Sequence, residues 1–328
     1  MTTDPPSDAP SEAQIRSTLG SVGRAFFERF PELREVQMRA IPPIAEGKNI
    51  LLCSATASGK TEAVIAPLIW RIRHQGKADG PRERKTRFLA IAPTRALVSD
   101  LLTRLNRALP SFGWTAGAQT SDHQDAKLAP DALVTTPESL DSMLVSRFTR
   151  EHGETTGHLL ADVEAVFVDE AHLFDCSVRG DQVLFLLERL RRLKATAVNR
   201  GWTNNADLQI CGASATVSHA DELATRMLGL GAQSLFIPGG RELSILDLED
   251  KWLAIDRSTS PPELAARITV GASGSEICRK LVDIFREGTA RKVLIFCPSR
   301  AMCDGLGEYL TEHLPKMVEA WVGAHHGC

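Results

Sequence analysis

Ile50-Leu51-Leu52-Cys53-Ser54-Ala55-Thr56-Ala57-Ser58-Gly59-Lys60-Thr61 decides how the rest of the chain is read. Four apolar residues suit a buried strand. Small residues follow, then Gly59-Lys60-Thr61, then the helical stretch EAVIAPLIWRI at 62–72. Strand, small-residue loop, Gly-Lys-Thr and helix together make a phosphate-binding loop. Backbone N–H groups at the helix N-terminus wrap the phosphates, Lys60 reaches the outer phosphates, and the Thr61 hydroxyl ligates Mg²⁺. Ser54 stands where the pattern usually opens with glycine, and Ala57 where another glycine is common. Small residues at both places still let the backbone approach phosphate.

Outward from this loop, apolar runs and helical patterns alternate. The spacing predicts a helix over Glu12–Phe30, then a second over 32–46 that Pro42 and Pro43 bend or restart. Buried strands are expected at Phe88–Ala92, Ala132–Thr135, Ala165–Val168 and Leu208–Cys211, with a shorter one at Trp114–Ala118. Helices are expected at Thr94–Leu109, Ser139–Ser146, Gln182–Ala197 and Ala220–Leu228. On the Gln182–Ala197 helix, Arg189, Arg191, Arg192 and Lys194 read as a solvated face. Strand–helix alternation at this spacing gives a doubly wound parallel α/β sheet with sites at the carboxyl ends of the strands. Every candidate motif falls just after such a strand.

A linker is expected near Pro238-Gly239-Gly240. A second unit then shows a strand at Trp252–Ile255, a helix over Ser275–Glu287, a strand at Lys292–Cys297, a helix over Ala301–Leu314 and a last strand in VEAWVGAHHGC. The organisation is an N-terminal tail over 1–11, a first domain over 12–238 and a second sheet, begun but not completed, over 239–328.

Composition narrows the classes. The chain has 328 residues, 43% of them hydrophobic, with a net charge of -3, so any nucleic-acid surface must be local. Seven cysteines without CxxC spacing fit reduced thiols in a cytoplasm and no zinc site. The acidic, Pro-rich start lacks the order of a signal peptide and reads as disordered, and no apolar run approaches a membrane span. A single Tyr and 5% aromatics leave little material for stacking bases.

The chemistry-bearing pair is Asp169-Glu170, after the strand Ala165–Val168. Asp169 suits Mg²⁺. Glu170 suits the general base for an attacking water, which needs a proton acceptor within hydrogen-bond reach.

SATASGKT, VDEAH and SAT, in this order on successive strands, resemble the ATP-binding domain of superfamily 2 helicases of the DEAD/DEAH-box type. APTRAL (92–97) resembles that family's motif Ia, TTPESL (135–140) its motif Ib, and VLIFCPSR (293–300) its motif IV. TTPESL, the VDEAH…RG…LERL run and SATV are similar especially to the large helicase-related (Lhr) group. The resemblance covers about residues 25 to 328 and implies a RecA-like domain followed by the start of a second.

It implies these roles. Gln37 reads adenine; Ser58, Gly59, Lys60, Thr61 and Glu62 hold ATP, with Thr61 and Asp169 on Mg²⁺. Lys60, Asp169, Glu170 and His172 form the catalytic group. Ser214 and Thr216 couple the ATP site to the strand site. Thr94, Arg95, Thr136, Pro137 and Glu138 lie along the backbone of a single nucleic-acid strand, DNA more than RNA. Such contacts carry no base code.

The aromatic residue that DEAD-box proteins carry ahead of this glutamine is absent; Phe26, Phe27 and Phe30 lie nearer to it. Nothing in the 328 residues matches motifs V and VI, which carry arginine fingers, so these residues taken alone are expected to bind ATP and turn it over little. Two other readings stay open: a binding fragment of low activity, and a phosphate-loop NTPase that does not act on nucleic acid.

Overall fold

The structure, a computed structural model, describes residues 10–75, 85–145, 149–152, 155–215, 217–238, 277–288, 293–297, 300–314 and 322–323. The chain divides into two compact units, Met1–Arg241 and Glu242–Cys328. The expectations for the tail before residue 10, for Thr216, for Trp252–Ile255 and for most of 318–328 lie outside the described residues.

The first unit is built on β1 (Ile50–Ser54), β2 (Phe88–Ile91), β3 (Ala116–Gln119), β4 (Ala132–Thr135), β7 (Ala165–Val168), β8 (Gln209–Ser214) and β9 (Gln233–Ile237). They form one sheet in the order β3-β4-β2-β7-β8-β1-β9, and every pairing is parallel. β1, β2, β4, β7 and β8 are buried along their whole length. Continuous apolar runs are what a sheet covered on both faces requires.

The pleat sorts these residues into two cores. Leu52, Ala90, Val134, Phe167 and Ala213 face one side. There they meet α1 (Glu12–Phe27), α2 (Glu35–Ala45), α3 (Lys60–Gln75) and α4 (Arg95–Ala108). Leu51, Leu89, Leu133, Val166 and Ile210 face the other. They meet α5 (Pro137–Val145), α6 (Val178–Asn199) and α7 (Ala220–Leu228). The doubly wound α/β architecture is the one the sequence implies.

Differences lie in details. α1 breaks at Gly20, whose φ of 53° only glycine adopts readily. α2 runs through Pro42 and Pro43 to Ala45 without restarting. α6 begins four residues before the expected start, at Val178, capped by the Ser177 hydroxyl, which accepts from Gly180 N–H. Its basic residues are not a uniform solvated face. Lys194 is 3% exposed and donates to Ala161 O at 3.3 Å; burial lowers its pKa. Arg189 donates to Asp141 on α5 at 2.5 Å.

β9 was not anticipated, because QSLFI is a half-exposed edge strand with mixed polarity. Nor was the antiparallel hairpin of β5 (Thr149–His152) and β6 (Thr155–His158).

In the second unit, α8 covers 277–286 and α9 covers Arg300–His313. Cys278, Leu281 and Val282 share a small core with Leu306, Leu310 and Leu314. Residues 293–297, expected as a strand, have no strand partner among the described residues, and Leu294 and Phe296 are 78% and 87% exposed. Among the described residues no helix is long and apolar enough to cross a membrane.

Candidate active site

The phosphate loop connects β1 to α3. Ala57 sits at φ 58° and Gly59 at φ 92°, both left-handed. The φ at Gly59 favours glycine, and a Cβ there would lie 2.7 Å from Gln37 Nε2, the end of a side chain that would have to shift. Gln37 is thereby pressed against the loop, 3% exposed, while its Oε1 accepts from Arg34 N–H at 3.0 Å.

Lys60 opens α3 and is 5% exposed. Its ammonium has only long contacts, 3.5 Å to Ser54 O and 3.9 Å to Glu170 Oε1. A buried cation so weakly partnered suits an anionic ligand. The Ser58, Ser214 and Glu170 Oε2 oxygens are likewise buried without a hydrogen-bond partner.

β7 delivers Asp169 and Glu170. Burial first, and the Glu170 charge second, push the Asp169 carboxyl up to about 6. Two carboxylates crowded in a dry corner call for a cation. Among the described residues no group of three or more His, Cys, Asp or Glu could hold a metal by itself.

Glu170 adopts φ 44° and starts a 3-10 turn over Ala171–Phe174. His172 Nδ1 accepts from Ala215 N–H at 3.2 Å, tying this turn to the end of β8. The same nitrogen lies 3.4 Å from Glu170 Oε2, an oxygen with no hydrogen-bond donor among the described residues.

A cleft of about 330 Å³ opens beside the loop, lined by Phe30, Arg34, Gln37, Ala57, Gly59 and Glu62 among others. Of the three phenylalanines named above, Phe26 and Phe27 are buried in the core, and Phe30 reaches the cleft. Glu62 faces Arg104 at 3.4 Å and Arg29 at 4.0 Å. Arg34 donates to Ala57 O at 2.5 Å. The sequence signal for Arg34 was its position three before Gln37, whose Oε1 accepts from the Arg34 backbone N–H at the start of α2.

The remaining candidates lie at the carboxyl ends of β2 and β4. Thr94 caps α4, accepting from Leu97 N–H, which leaves its hydroxyl hydrogen to donate elsewhere. Arg95 is exposed and pairs with Asp122 at 3.1 Å. Thr136 is 6% exposed and Pro137 is buried, while Glu138 is exposed. The Glu138 carboxylate accepts from Arg179 at 2.7 and 3.1 Å, a partner that motif reading did not assign.

A parallel sheet with a Gly-Lys-Thr loop after one strand and an Asp-Glu pair after another defines a phosphate-loop NTPase domain. The chain belongs to the DEAD/DEAH box helicase family, whose model matches residues 34–223. It is 28% identical to the ATP-dependent helicase Lhr-Core of Methanothermobacter thermautotrophicus, over 96% of this chain and 36% of that protein. It is 27% identical to the U5 small nuclear ribonucleoprotein 200 kDa helicase of Drosophila melanogaster, over 95% of this chain and 14% of that protein. The chain thus spans little more than a third of the first relative and about a seventh of the second. The Mycobacterium smegmatis helicase Lhr bound to ssDNA and AMP-PNP is a structural neighbour at TM-score 0.60 and 25% identity, covering 89% of this chain and 35% of that one.

Proposed function

We propose that this chain is the ATP-binding part of a nucleic-acid translocase that grips one strand by its backbone, DNA in preference to RNA. The observation that carries the reading is convergence. The ends of β1, β7 and β8 bring Lys60, Asp169, Glu170 and Ser214 to one edge of the sheet, and β2 and β4 bring Thr94, Arg95 and Thr136 to the same edge. The preference for DNA rests on the ssDNA-bound Lhr neighbour.

In this reading Gln37 turns its amide to adenine, with Phe30 and Glu62 lining the same cleft. Ser58, Gly59 and Lys60 hold the phosphates, and Lys60 gains the short partners it lacks. Thr61 and Asp169 hold Mg²⁺, which would neutralise charge on the transferred phosphoryl group. Glu170 takes the proton of the attacking water through its unpartnered oxygen. His172, already bonded to Ala215, passes changes at the phosphates to Ser214 and Thr216. Thr94, Arg95, Thr136 and the Pro137-Glu138 turn follow the strand's phosphates. The six described cysteines are free thiols, which supports a reducing, cytoplasmic setting.

The test is anisotropy of a fluorescein-labelled oligo-dT and of mixed-sequence strands. Affinity should fall linearly on a log–log salt plot and be alike across sequences. No binding at low salt, or a marked preference for one sequence, overturns the reading.

A further inference from the structure

The Arg179-Gly180 pair that follows Asp169-Glu170 is left without a role by the account above. Arg179 is the second residue of α6. A cation there opposes the helix dipole, which favours anions in the first turn. Its guanidinium nevertheless forms a two-pronged pair with Glu138, the second residue of α5, at 2.7 and 3.1 Å across 41 residues. Fork-to-fork pairing of this kind fixes orientation as well as distance. It also holds Glu138 below the usual carboxylate range, against partial desolvation of the carboxylate.

The ten residues from Glu170 to Arg179 form a stiff strap. Leu173 N–H bonds to Glu170 O at 2.9 Å, and Asp175 N–H to His172 O at 3.2 Å. Ser177 Oγ donates to Phe174 O at 3.2 Å and accepts from Gly180 N–H at 3.0 Å. A Cβ on Gly180 would stand 1.7 Å from Phe174 O, so no other residue fits. Glu170 and Cys176 are both left-handed, at φ 44° and 47°, conformations that persist only where the surroundings dictate them. Asp175 also pairs with Arg226 on α7 at 2.6 Å. A displacement of Glu138 therefore has little room to dissipate before it reaches Glu170.

We infer that Arg179 is a positioning residue that couples strand occupancy at Thr136–Glu138 to the placement of Glu170 at the phosphate site. This rests on the functional reading above. Arg179 neutralises a carboxylate that would repel the strand's phosphates and carries the movement of that carboxylate along the strap.

The experiment measures the affinity of the full chain for fluorescein-labelled oligo-dT with and without AMP-PNP·Mg²⁺. The ratio of the two dissociation constants is the coupling factor. Wild type should show a factor of about 5 or more, the lower end of ordinary allosteric coupling. Arg179→Ala should bring it close to 1, with AMP-PNP affinity in the absence of strand changed by less than about twofold, well inside that coupling range. Arg179→Lys, which keeps the charge and the stem but loses the fork, should fall between and guards against misfolding of the alanine variant. The exchange Glu138→Arg with Arg179→Glu should recover part of the coupling. Wild-type coupling that survives intact in Arg179→Ala or Arg179→Lys overturns this inference alone, as does a wild type that binds both ligands independently. A wild type that binds no strand overturns the functional reading and this inference with it.

Discussion

Two apolar runs of nearly the same character meet different fates. Ile50–Ser54 is a strand buried at every residue, paired with β8 through Leu51–Cys53 and with β9 through Ile50–Ser54. Residues 293–297, Val-Leu-Ile-Phe-Cys, are if anything more apolar, yet they pair with nothing among the described residues and leave Phe296 87% exposed. Composition alone does not make a strand. A central strand needs a neighbour on each side for its N–H and C=O groups and a helix layer on each face for its side chains. β1 has all four; for 293–297 the described residues supply α8 and α9 and no strand.

The sharpest way to break the contrast is to ask whether the first unit carries the nucleotide site by itself. Residues 1–241 should bind AMP-PNP as the full chain does, within about threefold, or less than ~0.7 kcal/mol. Lys60→Ala should abolish binding in both, because the loop's buried cation is then gone. Calorimetry checks this, and a first unit that binds nothing would show that the site depends on the second.

Hydrogen exchange reads the contrast directly. Amides of β1 should exchange only by global opening, slowed at least about 10³-fold, whereas those of 293–297 should exchange close to the free-peptide rate. Equal protection would mean that 293–297 finds a partner strand in solution.

Glu170→Gln keeps the size of the side chain and removes its proton affinity. Nucleotide binding should persist while the residual turnover expected of these residues, measured by phosphate release, falls to the no-enzyme background, as the loss of a general base requires. Survival of turnover would take the base role from Glu170.

Arg95→Ala should weaken every single strand alike, by about 1 kcal/mol at low salt. The effect is modest because Arg95 already shares its charge with exposed Asp122 at 3.1 Å. Asp122→Asn should accordingly strengthen binding. A loss confined to one sequence would mean that Arg95 reads bases.

These differences mark what the sequence could disclose. β1, β2, β4, β7 and β8 are fully buried and so leave unbroken apolar runs; their ends carry Lys60, Asp169 and Glu170, and both were legible. β9 is an edge strand, half exposed, and QSLFI has no pattern that separates it from a loop. The two prolines of α2 read as a break, yet the helix passes through them. Lys194 looked solvated because helical spacing does not reveal that Ala161 waits to accept from it. The Arg179–Glu138 pair joins residues 41 apart, and no local pattern reports such a contact. The lone legible trace was an Arg-Gly following the acidic motif.

The smallest effect tests the loop itself. Ala57 occupies a place where many phosphate loops carry glycine, and it does so at φ 58°. The left-handed conformation costs a residue with a Cβ about 1–2 kcal/mol. Ala57→Gly removes that cost but gives the unfolded chain more freedom, which takes back roughly 0.4–1 kcal/mol. The net gain should lie between about zero and 1.6 kcal/mol, a rise of at most about 6 °C in melting temperature for a unit of this size. The Ala57 side chain is exposed, so little packing is lost with its methyl. The carbonyl that Arg34 bonds belongs to the backbone and stays in either variant. The matching control in the second unit is Gly288→Ala, at φ 68° with open space around it. It should cost between about zero and 1.6 kcal/mol, the same balance with the sign reversed. Thermal melts of both variants against wild type decide the matter. An Ala57→Gly variant less stable than wild type by more than 1 kcal/mol would show that the methyl group packs in the folded loop and that the left-handed turn at 57 is not where the strain lies.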